Sequence, residues 1–321
     1  MPKGGNGTGG TGNSGDGPGS GSAAAGGAGS ATARRVDPEG TGDAPSAMGG
    51  ADAPTKRRAP GERRPPDRPY TLAIDVGGTG LKASVLSAGG SMVADRVKVA
   101  TTYPMPPTGD RGMVSVLTDL VKDLPEAERV SVGFPGMVRG GVILSASHFE
   151  TSEGPGTPVD PALQKAWHGF DMAAALGAAI GKPTRVANDA DVQGLAVVTG
   201  HGLELVVTLG TGYGTAFFLH GSLMPHLEIA HQPFRKGETY NEQIGEAARR
   251  DVGDERWNGR VRKAVVNMDA LFFFDHLYIG GGNAKRLDTS QFDGSDRITI
   301  VDNAAGILGG VKLWQGSHQG L

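Results

Sequence analysis

The chain has 321 residues, with 31 Lys and Arg against 34 Asp and Glu, so its formal charge of −3 supplies no global field for a nucleic-acid partner. It contains no cysteine, which excludes disulfides, thiol nucleophiles and every zinc site built on thiolates. The longest apolar runs, such as residues 270–274, fall far short of the roughly 18 residues a membrane helix needs, and the opening MPKGGNGTGG lacks the apolar core of a signal peptide. The expectation is a cytoplasmic protein with no membrane partner and no specific nucleic-acid partner.

Residues 1–69 are rich in Gly, Ala, Ser and Pro and almost devoid of large apolar side chains. Such a segment cannot bury enough apolar surface to offset the entropy of ordering, and a disordered tail is expected. Its basic patch (Lys56, Arg57, Arg58, Arg63, Arg64, Arg68) reads as a solvated linker rather than a polyanion dock, because acidic residues nearly balance the tail.

From Tyr70 onward the pattern is α/β. Residues 71–76 read as a buried strand, 81–87 as a second after a Gly turn, and 91–99 as a third. Residues 112–124 have helical spacing, with Met113, Val116, Leu117, Leu120 and Leu124 on one face and Pro125 beyond. A strand at 129–134 follows. A helix at 171–180 is capped by Asp171 and stopped by Gly181-Lys182-Pro183. A short strand at 184–186 and a helix at 190–199 complete this part. The plan then restarts: strand 203–209, Gly turn, strand 215–219. Helices are expected at about 240–250 and 256–273, a strand at 276–279, and a last helix at 303–314 capped by Asp302.

Two strand–Gly-turn–strand units carry the first chemistry. In Ile74-Asp75-Val76-Gly77-Gly78-Thr79-Gly80-Leu81-Lys82 a turn without Cβ atoms lets N–H groups approach a phosphate, and Asp75 can hold a hydrated Mg²⁺ beside it. There is no G-x-x-x-x-G-K-[ST], and the turn opens a strand where a dinucleotide fingerprint would open a helix. Leu209-Gly210-Thr211-Gly212-Tyr213-Gly214-Thr215 repeats the device. Each alone could be a plain hairpin; two in one chain argue for a phosphate clamp.

Two further clusters suit a hydroxylic substrate. Asn188-Asp189-Ala190-Asp191 sits at a strand end and helix start, where a carboxylate can take a proton from a hydroxyl, although a plain N-cap is also served by these residues. Spacing does not choose between Asp189 and Asp191 as base. Glu228 and His231 can converge on adjacent hydroxyls or form a surface pair. A metal reading of His226, Glu228 and His231 is disfavoured by the lack of an evident fourth ligand.

The motif I-D-V-G-G-T-G-L-K resembles the first phosphate motif of ROK-family sugar kinases, and its G-L-K ending that of the polyphosphate/ATP glucokinase branch. N-D-A-D, L-G-T-G-Y-G, E-I-A-H and I-G-G-G follow in the family's order, with Gly133-Phe134-Pro135-Gly136-Met137-Val138 similar to its sugar-pocket loop and Trp167-His168-Gly169-Phe170-Asp171 to its W-x-G-x-D entry. The resemblance covers about 70–315. It implies an actin/hexokinase-like (ribonuclease H-like) α/β fold of two domains around a cleft, 70–187 and 188–302, with a C-terminal helix at 303–315 returning to the first.

It further implies transfer of a phosphoryl group from polyphosphate, ATP or both to O6 of glucose or a related hexose, with Asp189 as general base. Asn188, Glu228, His231, Pro135 and Gly136 would hold the sugar. Asp75, Gly77, Gly78, Thr79, Lys82, Gly210, Thr211, Gly212, Gly214, Gly280, Gly281 and Gly282 would hold the donor, with Asp75 near Mg²⁺. A homodimer is compatible with the family. The cysteine-rich zinc cluster of typical members is impossible here, as in the polyphosphate branch. Ala230 replaces a usual Gly, and residues 148–156 replace a usual Asn-Leu pair, which bears on the sugar accepted. The other reading is a non-catalytic sugar sensor on the same fold; the Gly-rich tail cannot supply the helix-turn-helix of the family's regulators.

Overall fold

The computed structural model describes residues 67–301 and 305–316. The expectations for residues 1–66, the Asp302 cap and Asn303 lie outside the described residues. The first half of the fold runs β1 (Thr71–Val76), β2 (Gly80–Leu86), β3 (Val97–Ala100), α1 (Met113–Val121), β4 (Arg129–Phe134), β5 (Met137–Arg139), β6 (Val142–Ser145), α2 (Pro161–Trp167), β7 (Phe170–Asp171), α3 (Met172–Ile180), β8 (Thr184–Asn188) and α4 (Asp189–Val197). The second half runs β9 (Leu203–Leu209), β10 (Tyr213–Leu219), β11 (Ser222–Leu223), β12 (Pro233–Arg235), β13 (Glu238–Thr239), α5 (Tyr240–Ile244), α6 (Glu246–Val252), α7 (Asp254–Phe272), β14 (His276–Gly280), β15 (Ile298–Ile300) and α8 (Ala305–Lys312).

Two five-stranded sheets share one plan. The first has the order β3-β2-β1-β4-β8, with β1, β2 and β3 an antiparallel meander and β4 and β8 added in parallel. The second has the order β11-β10-β9-β14-β15 with the same directions. The repeated plan legible in the Gly turns therefore extends to whole sheets. A small antiparallel sheet, β5-β6-β7, carries the loop after β4.

Each sheet is held by its own core. Leu72, Ile74, Val76 and Leu81 face Met113 and Leu117 of α1 and Leu176 of α3, with Phe134, Phe149 and Trp167 packed at ring distances of 5.4–5.7 Å. Leu205, Val207 and Ile279 face Trp257, Val261 and Met268 of α7. The other face of the first sheet meets α8 through Ala73, Leu86, Ile307 and Val311. Ser131 donates to the Gly310 carbonyl at 2.6 Å, and a Cβ at Gly309 would collide with the Val192 backbone of α4. The helix cost of these glycines, about 1 kcal/mol each, is offset by the close approach they permit.

Local signals place most boundaries. Asp171 accepts from the Ala174 N–H at 2.8 Å, and Gly181 ends α3 in the left-handed region at φ 73°. Two expectations are corrected. The third strand is Val97–Ala100, not 91–99: residues 91–96 hold a single bridge, Met92 to Leu86, followed by a bend at 93–94. The helix expected at 240–250 is two helices, because Gly245 is extended (ψ 166°) and turns the Glu246 N–H onto the Gly210 and Thr211 carbonyls. A tertiary demand overrides the helical pattern there.

Candidate active site

A cavity of about 350 Å³ opens between the two sheets, within the usual range for small-ligand sites. Of the candidate sugar-, donor- and base-site residues singled out from the sequence, all but Gly280 and Asp191 line it. Gly280 instead ends β14, where a Cβ would press on Val301.

The two Gly turns face this cavity with the same wiring. In the first, the Gly77 carbonyl accepts from the Thr101 hydroxyl at 2.6 Å, and the Gly78 carbonyl from the Tyr103 hydroxyl at 2.7 Å. In the second, the Gly210 and Thr211 carbonyls accept from the Glu246 N–H at 3.1 and 3.2 Å, and Asn283 also donates to Gly210. Fixing the carbonyl oxygens on protein donors leaves the Gly78 and Thr79 N–H groups outside these bonds, as a phosphate clamp requires. Close packing makes the glycines necessary: a Cβ at Gly77 would meet the Gly80 carbonyl at 2.9 Å. Gly281, at φ 89°, abuts the Leu209 backbone, and a side chain there would be both strained and blocked.

Asn188 closes β8 and caps α4. Its side-chain oxygen accepts from the Ala190 N–H at 2.7 Å and its amide donates to the Gly136 carbonyl at 3.0 Å, tying the 135–136 loop to the helix start. One amide N–H remains for a ligand. Asp189 follows, half-buried at the cavity wall with its carboxylate on the Ala190 N–H at 2.9 Å. Burial, and after it the like charge of Asp75, pushes the Asp189 carboxyl up to about 7. Asp75 itself pairs with Lys82 at 2.9 Å.

Asp191 takes a different part. It is buried and accepts from His226 Nδ1 at 3.0 Å, so it is not free to act on a substrate in the cavity. Burial opposes charge on His226, but Asp191 and Glu228 overcome it and hold the imidazole protonated, pushed up to about 10. Its Nε2 lies 3.5 Å from Glu228, an ionic contact longer than a hydrogen bond, and is buried without a hydrogen-bond partner. Glu228, half-buried, is held below its ordinary value by His226 against the effect of burial. His231 is exposed at the cavity rim on a 3₁₀ turn, Ile229–His231.

Metal binding divides into two cases. Among the described residues no group of three or more His, Asp or Glu is placed to hold an ion by itself, which sets aside His226, Glu228 and His231 as a metal centre. A hydrated Mg²⁺ makes a smaller demand, one or two carboxylates completed by water and phosphate oxygens. Asp75 beside the first turn fits that demand, and its repulsion with Asp189 is what a divalent cation relieves.

The ROK family pattern matches residues 71–227. The inorganic polyphosphate/ATP-glucomannokinase of Arthrobacter sp. strain KM is 30% identical, with 76% of this chain and 98% of that one covered at a TM-score of 0.61. The chain belongs to the ROK family. A polyphosphate glucokinase of Mycobacterium tuberculosis is 26% identical over 255 residues, 75% of this chain and 89% of that protein. A ROK glucokinase from Streptomyces griseus, solved in complex with glucose and AMPPNP, has a TM-score of 0.57 at 17% identity and covers 76% of this chain and 98% of its own, a likeness of fold. The fold is thus the hexokinase-like α/β architecture expected from the ROK motifs.

Three cavity residues had no substrate role in the sequence reading: His148, outside the motifs; Tyr213, inside L-G-T-G-Y-G; and His226, considered only as a metal ligand. His148, Tyr213 and His226 each present a buried polar atom with no hydrogen-bond partner, and all three line the cavity. Burial pushes the His148 imidazole down, Glu228 opposing, and its ring lies 3.6 Å from the position of a Gly78 Cβ. It therefore lies against the first Gly turn and feels the charge of Glu228. The departure at 148–156 marked the loop but not this residue. Asn241, whose side chain accepts from the Tyr213 N–H at 3.0 Å, had no sequence signal beyond its place in a helix.

Proposed function

We propose that the protein transfers a phosphoryl group from inorganic polyphosphate, ATP or both to the 6-hydroxyl of glucose or a related hexose. The observation that carries this reading is Asp189: a half-buried carboxylate with a pKa near neutrality, between two Gly turns and beside Glu228 and His231. A base poised near the working pH is best matched to taking a hydroxyl proton.

Asn188, Glu228 and His231, with Pro135 and Gly136, hold the sugar so that one hydroxyl reaches Asp189. The turns at Gly77–Thr79 and Gly210–Gly214 receive the donor phosphates, with Lys82 adding positive charge and Gly281–Gly282 flanking the adenosine end when the donor is ATP. The hydroxyl oxygen forms the new bond to the terminal phosphorus as the bond to the bridging oxygen breaks. The electron pair leaves with the remaining phosphate, and the proton passes to the Asp189 carboxylate. Bound Mg²⁺ would neutralise developing charge on the phosphate oxygens. Positioning and charge neutralisation supply most of the catalysis in such transfers, and water exclusion limits loss of the donor. Residues 70–187 and 188–302 are read as the two lobes that close.

The test is formation of hexose 6-phosphate by the purified full chain with Mg²⁺ and glucose, run separately with ATP and polyphosphate. Turnover with either donor, reduced at least ~10³-fold by Asp189→Asn with hexose binding retained, supports the reading. No turnover with either donor, across hexoses that still bind, sinks it and leaves the sensor.

A further inference from the structure

The charges on the cavity-side face of the first sheet are arranged in a way that transfer from a short donor does not require. Asp75, Lys82 and Lys98 are register partners across β1, β2 and β3, so their side chains form one cross-strand row. At the inner end Asp75 and Lys82 form an ion pair. At the outer end Lys98 is exposed and directly opposite Lys82, with no ion pair or hydrogen bond among the described residues. Like charges directly opposite on neighbouring strands cost stability, so the fold alone gains nothing from this pairing.

Two further observations give the row a direction. The Lys98 stem passes Gly80 at the foot of the first turn, with Cε 3.4 Å from where a Cβ would be. Arg96, two residues before Lys98, is exposed, lacks a partner among the described residues, and lines the mouth of the catalytic cavity. Adjacent strands lie ~4.8 Å apart and alternate residues ~6.6 Å apart, so the three cations cover about 10 Å outward from the turn.

We propose that Lys82, Lys98 and Arg96 are a track for the distal phosphates of a linear inorganic polyphosphate whose terminal phosphoryl group lies at the Gly77–Thr79 turn. This rests on the phosphoryl-transfer reading of the cavity. A nucleoside triphosphate carries no charge beyond its third phosphate, whereas polyphosphate repeats one charge per unit and continues to the sheet edge. The row starts inside the catalytic cavity and none of its members is aromatic, so it has no platform for stacking a nucleic-acid base.

The experiment compares the wild-type full chain with the Arg96→Ser/Lys98→Ser variant in two assays. The first measures binding of fluorescently labelled long-chain polyphosphate over a salt series. The second measures KM for polyphosphate and for ATP. The track predicts that Kd and KM for polyphosphate rise at least ~10-fold and that the salt dependence of binding becomes shallower, since fewer phosphates are neutralised. KM for ATP stays within about twofold, and Tm is unchanged or raised because like-charge repulsion is gone. An equal rise for both donors, no change for polyphosphate, or a wild-type preference for a single-stranded oligonucleotide overturns it. Wild-type turnover with ATP but no polyphosphate binding also overturns the track and leaves the kinase reading intact. If neither donor supports turnover, the kinase reading fails, and polyphosphate binding lost in the variant still supports the track.

Discussion

The turns β1–β2 and β9–β10 are built alike and equipped differently. Both bond their carbonyls away from the cavity and sit at the inner edge of sheets with the same strand order. The register pair next to the first turn is Asp75 with Lys82; the corresponding pair at the second is Thr208 with Gly214. One turn is dressed with charge and the other is cleared of bulk. A Cβ at Gly214 would collide with the Thr208 hydroxyl and come within 3.3 Å of the Ala190 Cβ, next to the proposed base. In the proposed reaction two copies of one device would divide the labour: the first would manage the charge of the donor, and the second would keep its floor low and its neighbours in place.

The largest expected effect tests the charged side. Asp75→Asn removes the carboxylate available to Mg²⁺ and the like charge that raises Asp189; kcat falls ~10²-fold or more, as for loss of a pre-organised electrostatic contact. The residual activity carries its acid limb at lower pH, because Asp189 retains the effect of burial but not that of Asp75. Thr208→Ala at the matching place changes kcat less than about threefold by the same assay. Equal losses from the two substitutions would erase the distinction between the turns.

A smaller effect separates the obstacles around the glycines. Gly77→Ala meets the backbone oxygen of Gly80, which no side-chain substitution can remove. Gly214→Ala meets the end of the Thr208 side chain. Overpacking of either kind costs about 1–3 kcal/mol. Adding Thr208→Ala should return part of the stability and activity lost in Gly214→Ala, measured by Tm and kcat, while Gly77→Ala has no such partner. Failure of that rescue would mean that Ala190, not Thr208, sets the floor. On the acceptor side, His148→Ala is expected to raise KM for the hexose about tenfold with kcat nearly unchanged, the signature of uniform binding lost through one buried hydrogen bond.

Both sheets, both turns and the Asn188-Asp189 helix start were legible because their signals are local: apolar strands, Gly spacing and caps. What escaped depends on distance through space. Asp189 and Asp191 are two residues apart and chemically identical; only the meeting of Asp191 with His226, 35 positions on, separates them. The break at Gly245 reflects a hydrogen bond to a turn more than 30 residues earlier, and no helical periodicity records it. His148 looks like any loop histidine until its buried Nδ1 is seen without a partner. The cavity's wiring was visible only after folding, whereas its Gly and Asp components were visible in the chain.

The smallest expected effect concerns stability and isolates Asp189 from catalysis. In the fold its carboxyl holds a proton up to about pH 7, against an ordinary value of 3.8 in the unfolded chain. The folded state therefore binds more protons between those values, and the stability this contributes is present below pH 4 and lost as pH rises through about 7. The Asp189→Asn variant has no charge to bury and escapes the loss. Its Tm advantage over wild type should be smallest near pH 4 and larger by a few degrees at pH 8, the shift expected from about 1 kcal/mol in a domain of this size. A Tm advantage that is the same at both pH values would mean that Asp189 is solvated and ordinary in its titration, and would remove the reason for preferring it to any other carboxylate at the cavity wall as the base.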